Sequence, residues 1–282
     1  MPQQAIDLFN RAGEITTHCP LRKGNIIHLP DRGRVIVAGD LHGHQRNFER
    51  LMRRADLDHN PDTYVILQEI IHGGPEDDFG GCLSYQLLME GLNQKLKHPT
   101  QIHLILGNHD TAAICNTSVL KGGKEMNLAF KTAMRRHFMA KFDDVENAMK
   151  AYMMTQPLAV RCANRIWISH SLPADGFAED FDLGIFDRPY TQEDIQRPNS
   201  VYQLTWGRHH SEQTLAAMAG KLDVDLLVLG HQPQEIGWTV AGNNTLIIAT
   251  EHNHGCFLEF ELNQRYTLQE LSEKIIPIAS IA

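Results

Sequence analysis

Short apolar runs that stop abruptly at polar residues alternate with longer stretches of helical spacing along the first half of this chain. The runs at 35–38 (VIVA), Thr63–Leu67, Gln101–Leu106 and Asp225–Leu229 predict buried strands. Between them, Gln45–Ala55 places Phe48, Leu51 and Met52 on one helical face, and Gly80–Leu96 does the same with Leu83, Leu87, Leu88, Leu92 and Leu96. Ser211–Leu222 predicts a further helix opened by Ser211 as its cap. Residues 1–33 read as a lead-in, with a short helix at Gln4–Ala12 and a strand near Ile26–Leu29. Lys124–Thr155 is Met-rich and helical in pattern, which predicts a two-helix insertion (124–155) over one edge of the sheet, its methionines in the core. Leu158–Ala163 and Arg165–Ser169 predict a hairpin around Asn164, and Ala174–Asn199 is loop-rich. The end of the chain, Ile236–Val240, Thr245–Thr250, Cys256–Leu262 and Tyr266–Leu271, predicts an antiparallel run of strands. The expected fold is α/β: a two-sheet β-sandwich of mixed strands flanked by helices, as one domain over 1–282.

Composition narrows the classes of function. Twenty-six Lys and Arg against 34 Asp and Glu give a net charge of −8, and no long basic run appears, so no nucleic-acid partner is expected. No window approaches a membrane span in length, and residues 1–11 lack the apolar core of a signal peptide. Five scattered cysteines without a C-x-x-C pair fit free thiols in a reducing compartment, hence a cytoplasmic location. Sixteen histidines are compatible with a metal enzyme.

The strand ends carry the candidate chemistry. Five apolar runs end in polar side chains: Asp40 and His42, Glu69, Asn108 and His109, His170, and His231. Ligands of open α/β sheets bind at the carboxyl ends of strands. Any one of these residues could be a structural cap; five such ends in one domain are hard to assign to packing. The donors are carboxylate oxygen, amide oxygen and imidazole nitrogen, without sulfur. That set suits Mn, Fe or Zn and is unlike a closed structural zinc site. Six ligands exceed one catalytic zinc and match two ions sharing a carboxylate.

The succession GDLHG (39–43), ILQEIIHGG (66–74), LGNHD (106–110), SHS (169–171) and GHQP (230–233) resembles the calcineurin-like metallophosphoesterases. Within them it is most similar to the serine/threonine phosphoprotein phosphatases and their bacterial and diadenosine-tetraphosphatase relatives. The resemblance runs from about Val35 to Leu262 and includes Asp187-Arg188-Pro189 and Leu204-Thr205-Trp206-Gly207-Arg208. It implies a hydrolase that attacks phosphate esters with a metal-bound hydroxide at a two-metal site. Asp40 and His42 would hold one ion, Glu69 would bridge, and Asn108, His170 and His231 would hold the second. His109 would be the general acid toward the leaving alkoxide, and Arg208 would grip phosphate oxygens, with Arg188 as a weaker candidate. Phosphoproteins, dinucleoside polyphosphates and small phosphomonoesters are the substrates implied.

The second motif departs from the family's usual G-D-x-V-D-R-G. Glu69 stands for the bridging Asp, His72 for the Asp that orients the catalytic His, and Gly73 for a phosphate-binding Arg. Neutral imidazole accepts one hydrogen bond, so His72 can orient His109 or serve as a further ligand; Glu76, Asp77 or Asp78 are alternative sources of the carboxylate. The altered motif also supports a second reading, a degenerate member acting as a binding or regulatory protein.

Overall fold

A computed structural model describes residues 2–281. In chain order its strands are β1 (Arg22–Lys23), β2 (Ile26–Leu29), β3 (Arg34–Asp40), β4 (Thr63–Gln68), β5 (Ile102–Ile105), β6 (Leu120–Lys121) and β7 (Lys124–Glu125). They continue as β8 (Ala159–Cys162), β9 (Ile166–Ser169), β10 (Leu226–Leu229), β11 (Trp238–Ala241), β12 (Thr245–Ile248), β13 (Cys256–Glu261) and β14 (Ile275–Pro277). The helices are α1 (Pro2–Thr17), α2 (Gln45–Ala55), α3 (Ser84–Lys97), α4 (Asn108–Cys115), α5 (Met126–Phe138), α6 (Phe142–Met153), α7 (Gln192–Ile195), α8 (Ser200–Trp206), α9 (Glu212–Leu222) and α10 (Leu268–Ser272).

The strands form the two expected sheets, ordered β14-β13-β3-β4-β5 and β1-β2-β8-β9-β10-β12-β11, with β6 and β7 as a separate hairpin. Alternation within β3 shows why they stack. Val35 and Val37 face the other sheet, in a core shared with Ile66, Ile168, Val228 and Ile248. Ile36 and Ala38 face the helices, in a core shared with Phe48 and Leu51 of α2. Both sheets carry a parallel centre, β3-β4-β5 and β9-β10-β12, and the candidate ligands follow the carboxyl ends of these strands.

The Met-rich stretch folds into α5 and α6, with Met126, Met134, Met149 and Met153 in the core; α6 packs on α1 and α5 packs on α3. Ser211 caps α9 by accepting from Thr214 N. Two sequence expectations fail. Tyr266–Leu271 is not a strand: Thr267 and Glu270 cap each other's backbone N–H and start helix α10 instead. The end of the chain is not one antiparallel run either. β12 pairs antiparallel with β11 but parallel with β10, and β13 crosses to the other sheet, antiparallel to β3. Helices α4 and α8 and strand β14 are further elements that periodicity does not reveal in pieces this short.

Candidate active site

Glycine brings the two sheets' ends together. The β3–β4 ladder slips between Val37 and Asp40. There a Cβ on Gly39 would lie 2.0 Å from Ile248 O, so no other residue lets β3 press onto β12. Gly39 N donates to Thr250 Oγ1 at 2.9 Å, and Asp40 bridges Ala249. Loop 41–44 then lies backbone to backbone on loop 69–74. Leu41 N and His42 N both donate to Glu69 O, at 3.1 and 2.9 Å, and Gly43 N donates to Ile70 O at 2.7 Å.

These contacts set the first group of donors. His42 Nδ1 lies 3.0 Å from Ile71 O, a carbonyl that only accepts, so Nδ1 carries the proton and Nε2 keeps its lone pair. Nε2 faces Asp40 Oδ2 at 3.7 Å and Glu251 Oε2 at 3.6 Å.

The second group forms around Asn108, the first residue of α4. Its Oδ1 lies 2.9 Å from His170 Nε2 and 2.9 Å from His231 Nδ1. His170 Nε2 is 3.1 Å from Glu69 Oε2. Both Glu69 oxygens accept from His109 N, at 3.0 and 3.1 Å, and a Cβ on Gly107 would sit 2.7 Å from Oε2, so glycine makes room for the longer carboxylate. Asp40 Oδ1 accepts from His231 N at 2.9 Å and lies 3.6 Å from His170 Nδ1. Glu69 and Asp40 thus stand between the two groups. Ser171 sends its hydroxyl to Gly207 O at 2.6 Å and so fixes Arg208, whose Nε donates to His231 Nε2 at 2.9 Å.

The electrostatics fit cations. Asp40 and Glu69 are both buried, among the imidazoles of His42, His109, His170 and His231 and near a third buried carboxyl, Asp110, which burial and Glu69 push up to about 8. Burial pushes the Asp40 carboxyl up. Burial works the same way on Glu69, but His109, His170 and His42 hold it low. Burial opposes charge on His170 as well, and the Asp40 and Glu69 carboxylates overcome it and raise its pKa. His170 Nδ1 is buried without a hydrogen-bond partner. Two buried carboxylates this close favour positive charge beside them, which a bound cation would supply. Donor atoms of Asp40, Glu69 and His170 lie within 4.8 Å of one another. Oxygen and imidazole donors without thiolate fit Mn, Fe or Zn.

His109 and His72 meet through their Nδ1 atoms at 2.9 Å. His72 is buried against the Phe130 ring, edge to face at 5.0 Å, and its Nε2 has no partner. Burial lowers both rings far below the usual imidazole range, His72 to about 3 and His109 to about 2. Glu76 and Asp77 are drawn away from them, Glu76 to Lys124 at 2.7 Å and Asp77 to Arg136 at 3.2 Å. Arg188 does not join the site: it forms a surface pair with Asp194 at 2.7 Å and Asp182 at 3.4 Å.

Three features escaped the sequence reading. Glu251 approaches His42 from the loop before β13, and Lys121 of the β6–β7 hairpin pairs with it. His42, Glu69, His72 and His231 also all have positive φ, between 40° and 65°.

Over 236 residues the chain is 22% identical to a serine/threonine-protein phosphatase of Caenorhabditis elegans, covering 79% of this chain and 48% of that one. The chain therefore spans about half the length of that curated relative. Its fold matches a solved Saccharomyces cerevisiae protein serine/threonine phosphatase with similarity to human phosphatase PP5 (TM-score 0.73, 14% identity, 99% of this chain and 93% of that one). A cold-active protein-tyrosine phosphatase of a psychrophilic Shewanella species matches less fully (TM-score 0.60, 12% identity, 89% and 80%). At such identities these two structures speak to fold alone. The profile of the calcineurin-like phosphoesterases matches residues 33–235, which include Asp40, His42, Glu69, Asn108, His170 and His231, and the chain belongs to that family.

Proposed function

We propose that this protein is a phosphatase that hydrolyses phosphate esters by direct attack of water at a site for two metal ions. The convergence of His170 and His231 on Asn108 Oδ1, with Glu69 against His170 and Asp40 and His42 beyond it, carries the reading. In it, Asp40 and His42 would hold one ion, Asn108, His170 and His231 would hold the other, and Glu69 would be shared between them. When bound, Mn, Fe or Zn ions supply a charge clamp on phosphoryl oxygens and an acidified water. His109 gives its proton to the leaving oxygen, and His72 accepts from His109 Nδ1 to orient it. Arg208 Nε can donate to His231 Nε2 only while the proton sits on Nδ1. Arg208 would grip phosphate oxygens through the rest of its guanidinium fork.

Phosphoproteins, dinucleoside polyphosphates and small phosphomonoesters are the substrate classes to assay. Residues 1–282 are read as one domain with 124–155 inserted, and the five free thiols support a cytoplasmic setting. A second reading, a weakly active member serving as a binding or regulatory protein, is favoured by one observation. A Cβ at Gly73 would lie 2.4 Å from His42 O, so no cationic side chain can be restored there without moving the loop.

Metal analysis after reconstitution with Mn²⁺ should give two ions per chain, and His231→Ala should lose one preferentially. An activated aryl phosphate should be hydrolysed with inversion at a chiral phosphorus. A trapped phosphoenzyme, or a protein that takes up no transition metal, refutes the assignment; metal uptake without turnover of any substrate class favours the binding protein.

A further inference from the structure

Loop 69–74 brings no cation to the His42 side of the site, because its nearest approach to His42 is backbone on backbone at Gly73. A positive side chain reaches that side from elsewhere. Strands β6 and β7 form a hairpin around Gly122 and Gly123, whose φ values of 59° and 81° fit a two-residue turn with both central residues left-handed. The hairpin is fastened at three points. Lys124 Nζ binds Glu76 at 2.7 Å, Glu125 Oε1 accepts from Val119 N at 3.0 Å, and Lys121 Nζ pairs with Glu251 Oε2. That Glu251 oxygen is the one 3.6 Å from His42 Nε2. The ammonium is therefore tethered one carboxylate away from a candidate ligand atom, while its side chain stays 41% exposed and open to an incoming group. Arg208 stands at the other side, against His231.

We propose that Lys121 binds the phosphoryl oxygens of the substrate from the His42 side, opposite Arg208, with Glu251 as the residue that positions it. The inference rests on the phosphatase reading of the same site. An ammonium has three donors, and one bond to Glu251 leaves two for phosphate oxygens. A second cation favours substrates that carry two negative charges at phosphorus, so the site discriminates in favour of dianionic phosphomonoesters over monoanionic diesters.

The test compares the Mn²⁺-loaded wild type with Lys121→Ala, Lys121→Arg, Glu251→Gln and, as a control on the hairpin, Lys124→Ala. Binding of inorganic phosphate is measured by calorimetry, and kcat/KM is measured for an aryl phosphomonoester and the matching diester. Lys121→Ala should weaken phosphate about tenfold, the loss expected for one charged hydrogen bond, and lower the monoester-to-diester ratio by a similar factor. Lys121→Arg should restore most of both, Glu251→Gln should fall between, and each variant should keep its manganese. The proposal is overturned if Lys121→Ala changes neither quantity by twofold, or if Lys124→Ala reproduces its losses. It is also overturned if Glu251→Gln sheds manganese while Lys121→Ala is silent, which would make Glu251 a ligand. A wild type that binds phosphate but hydrolyses neither ester would sink the phosphatase reading, and the phosphate affinities would still decide the role of Lys121.

Discussion

The Asn108 flank of the site and the His72 flank are built from different materials. Around Asn108, side chains from both sheets point at one place, and each is held by a specific hydrogen bond. Around His72, backbone lies on backbone: glycines at 43, 73 and 74 each sit where a Cβ would come within 2.4 Å of a carbonyl oxygen. The first flank is where the sequence keeps the motifs that carry the resemblance, LGNHD, SHS and GHQP. The second is where the sequence departs from it, and its geometry shows that the departure reaches beyond one changed side chain. Loop 69–74 has no room for a larger residue at 73, so on the reading proposed above a cation for that side would come from another element.

Glu69 joins the two flanks, and its loss should have the largest effect. Glu69→Gln keeps the shape and removes the shared charge, so activity should fall about 10³-fold or more and both metal affinities should drop. Glu69→Asp should retain part of the activity. Metal titration alongside kinetics checks both, and a Glu69→Gln protein with intact metal content would break the link between the flanks. Arg208→Ala tests the Asn108 flank alone. It should lower kcat/KM by about 10²-fold, or ~3 kcal/mol, with metal content unchanged. Full activity in that variant would mean that the stretch 204–208 was matched wrongly.

His72→Asp probes the other flank. For His109 to act as an acid, its Nδ1–H must donate to His72 Nδ1, which leaves the His72 Nε2–H buried beside Phe130 without a partner. That arrangement and burial both disfavour the protonated His109 pair. A carboxylate at 72 favours it, so the alkaline limb of the pH–rate profile should move upward by about one unit. The effect should be greatest for poor leaving groups, measured with one metal throughout. An unchanged profile, together with metal loss in His72→Ala, would make His72 a ligand. The smallest effect expected is on stability: Gly73→Ala should cost about 2 kcal/mol through the contact with His42 O, a fall of roughly 5 °C in Tm. If Gly73→Ala melts like the wild type, the loop has slack and the contrast between the flanks softens.

Much of the fold was legible in the sequence because apolar runs mark buried strands, and the residues after each run are the ones that the parallel strands bring to the candidate site. Helix α2 and the ends of β3, β4 and β9 follow directly from that pattern. Tyr266–Leu271 was misread because six residues carry too little periodicity to separate strand from helix, and the Thr267–Glu270 cap decided it locally. Lys121 and Glu251 were illegible for another reason. They lie 130 residues apart, and although Glu251 follows the end of β12, Lys121 stands on a hairpin outside the parallel centre; only the folded hairpin brings them together. Arg188 was suggested by resemblance, and the acidic neighbours Asp182 and Asp194 claim it.

The positive φ angles bear on what the protein gives up to keep this site. Four of the ten non-glycine residues with positive φ among the described residues are His42, Glu69, His72 and His231. A left-handed backbone disfavours an ordinary side chain by about 1 kcal/mol, so these four together withhold roughly 4 kcal/mol from folding. That is a large part of the ~5–15 kcal/mol that separates a folded domain from its unfolded chain. Glycine at any of the four would recover some of it and remove a donor at the same time. Selection for thermal tolerance alone could therefore act on the candidate site as readily as on the other six positions, and variants gained by such selection should be screened for chemistry before they are trusted as improvements.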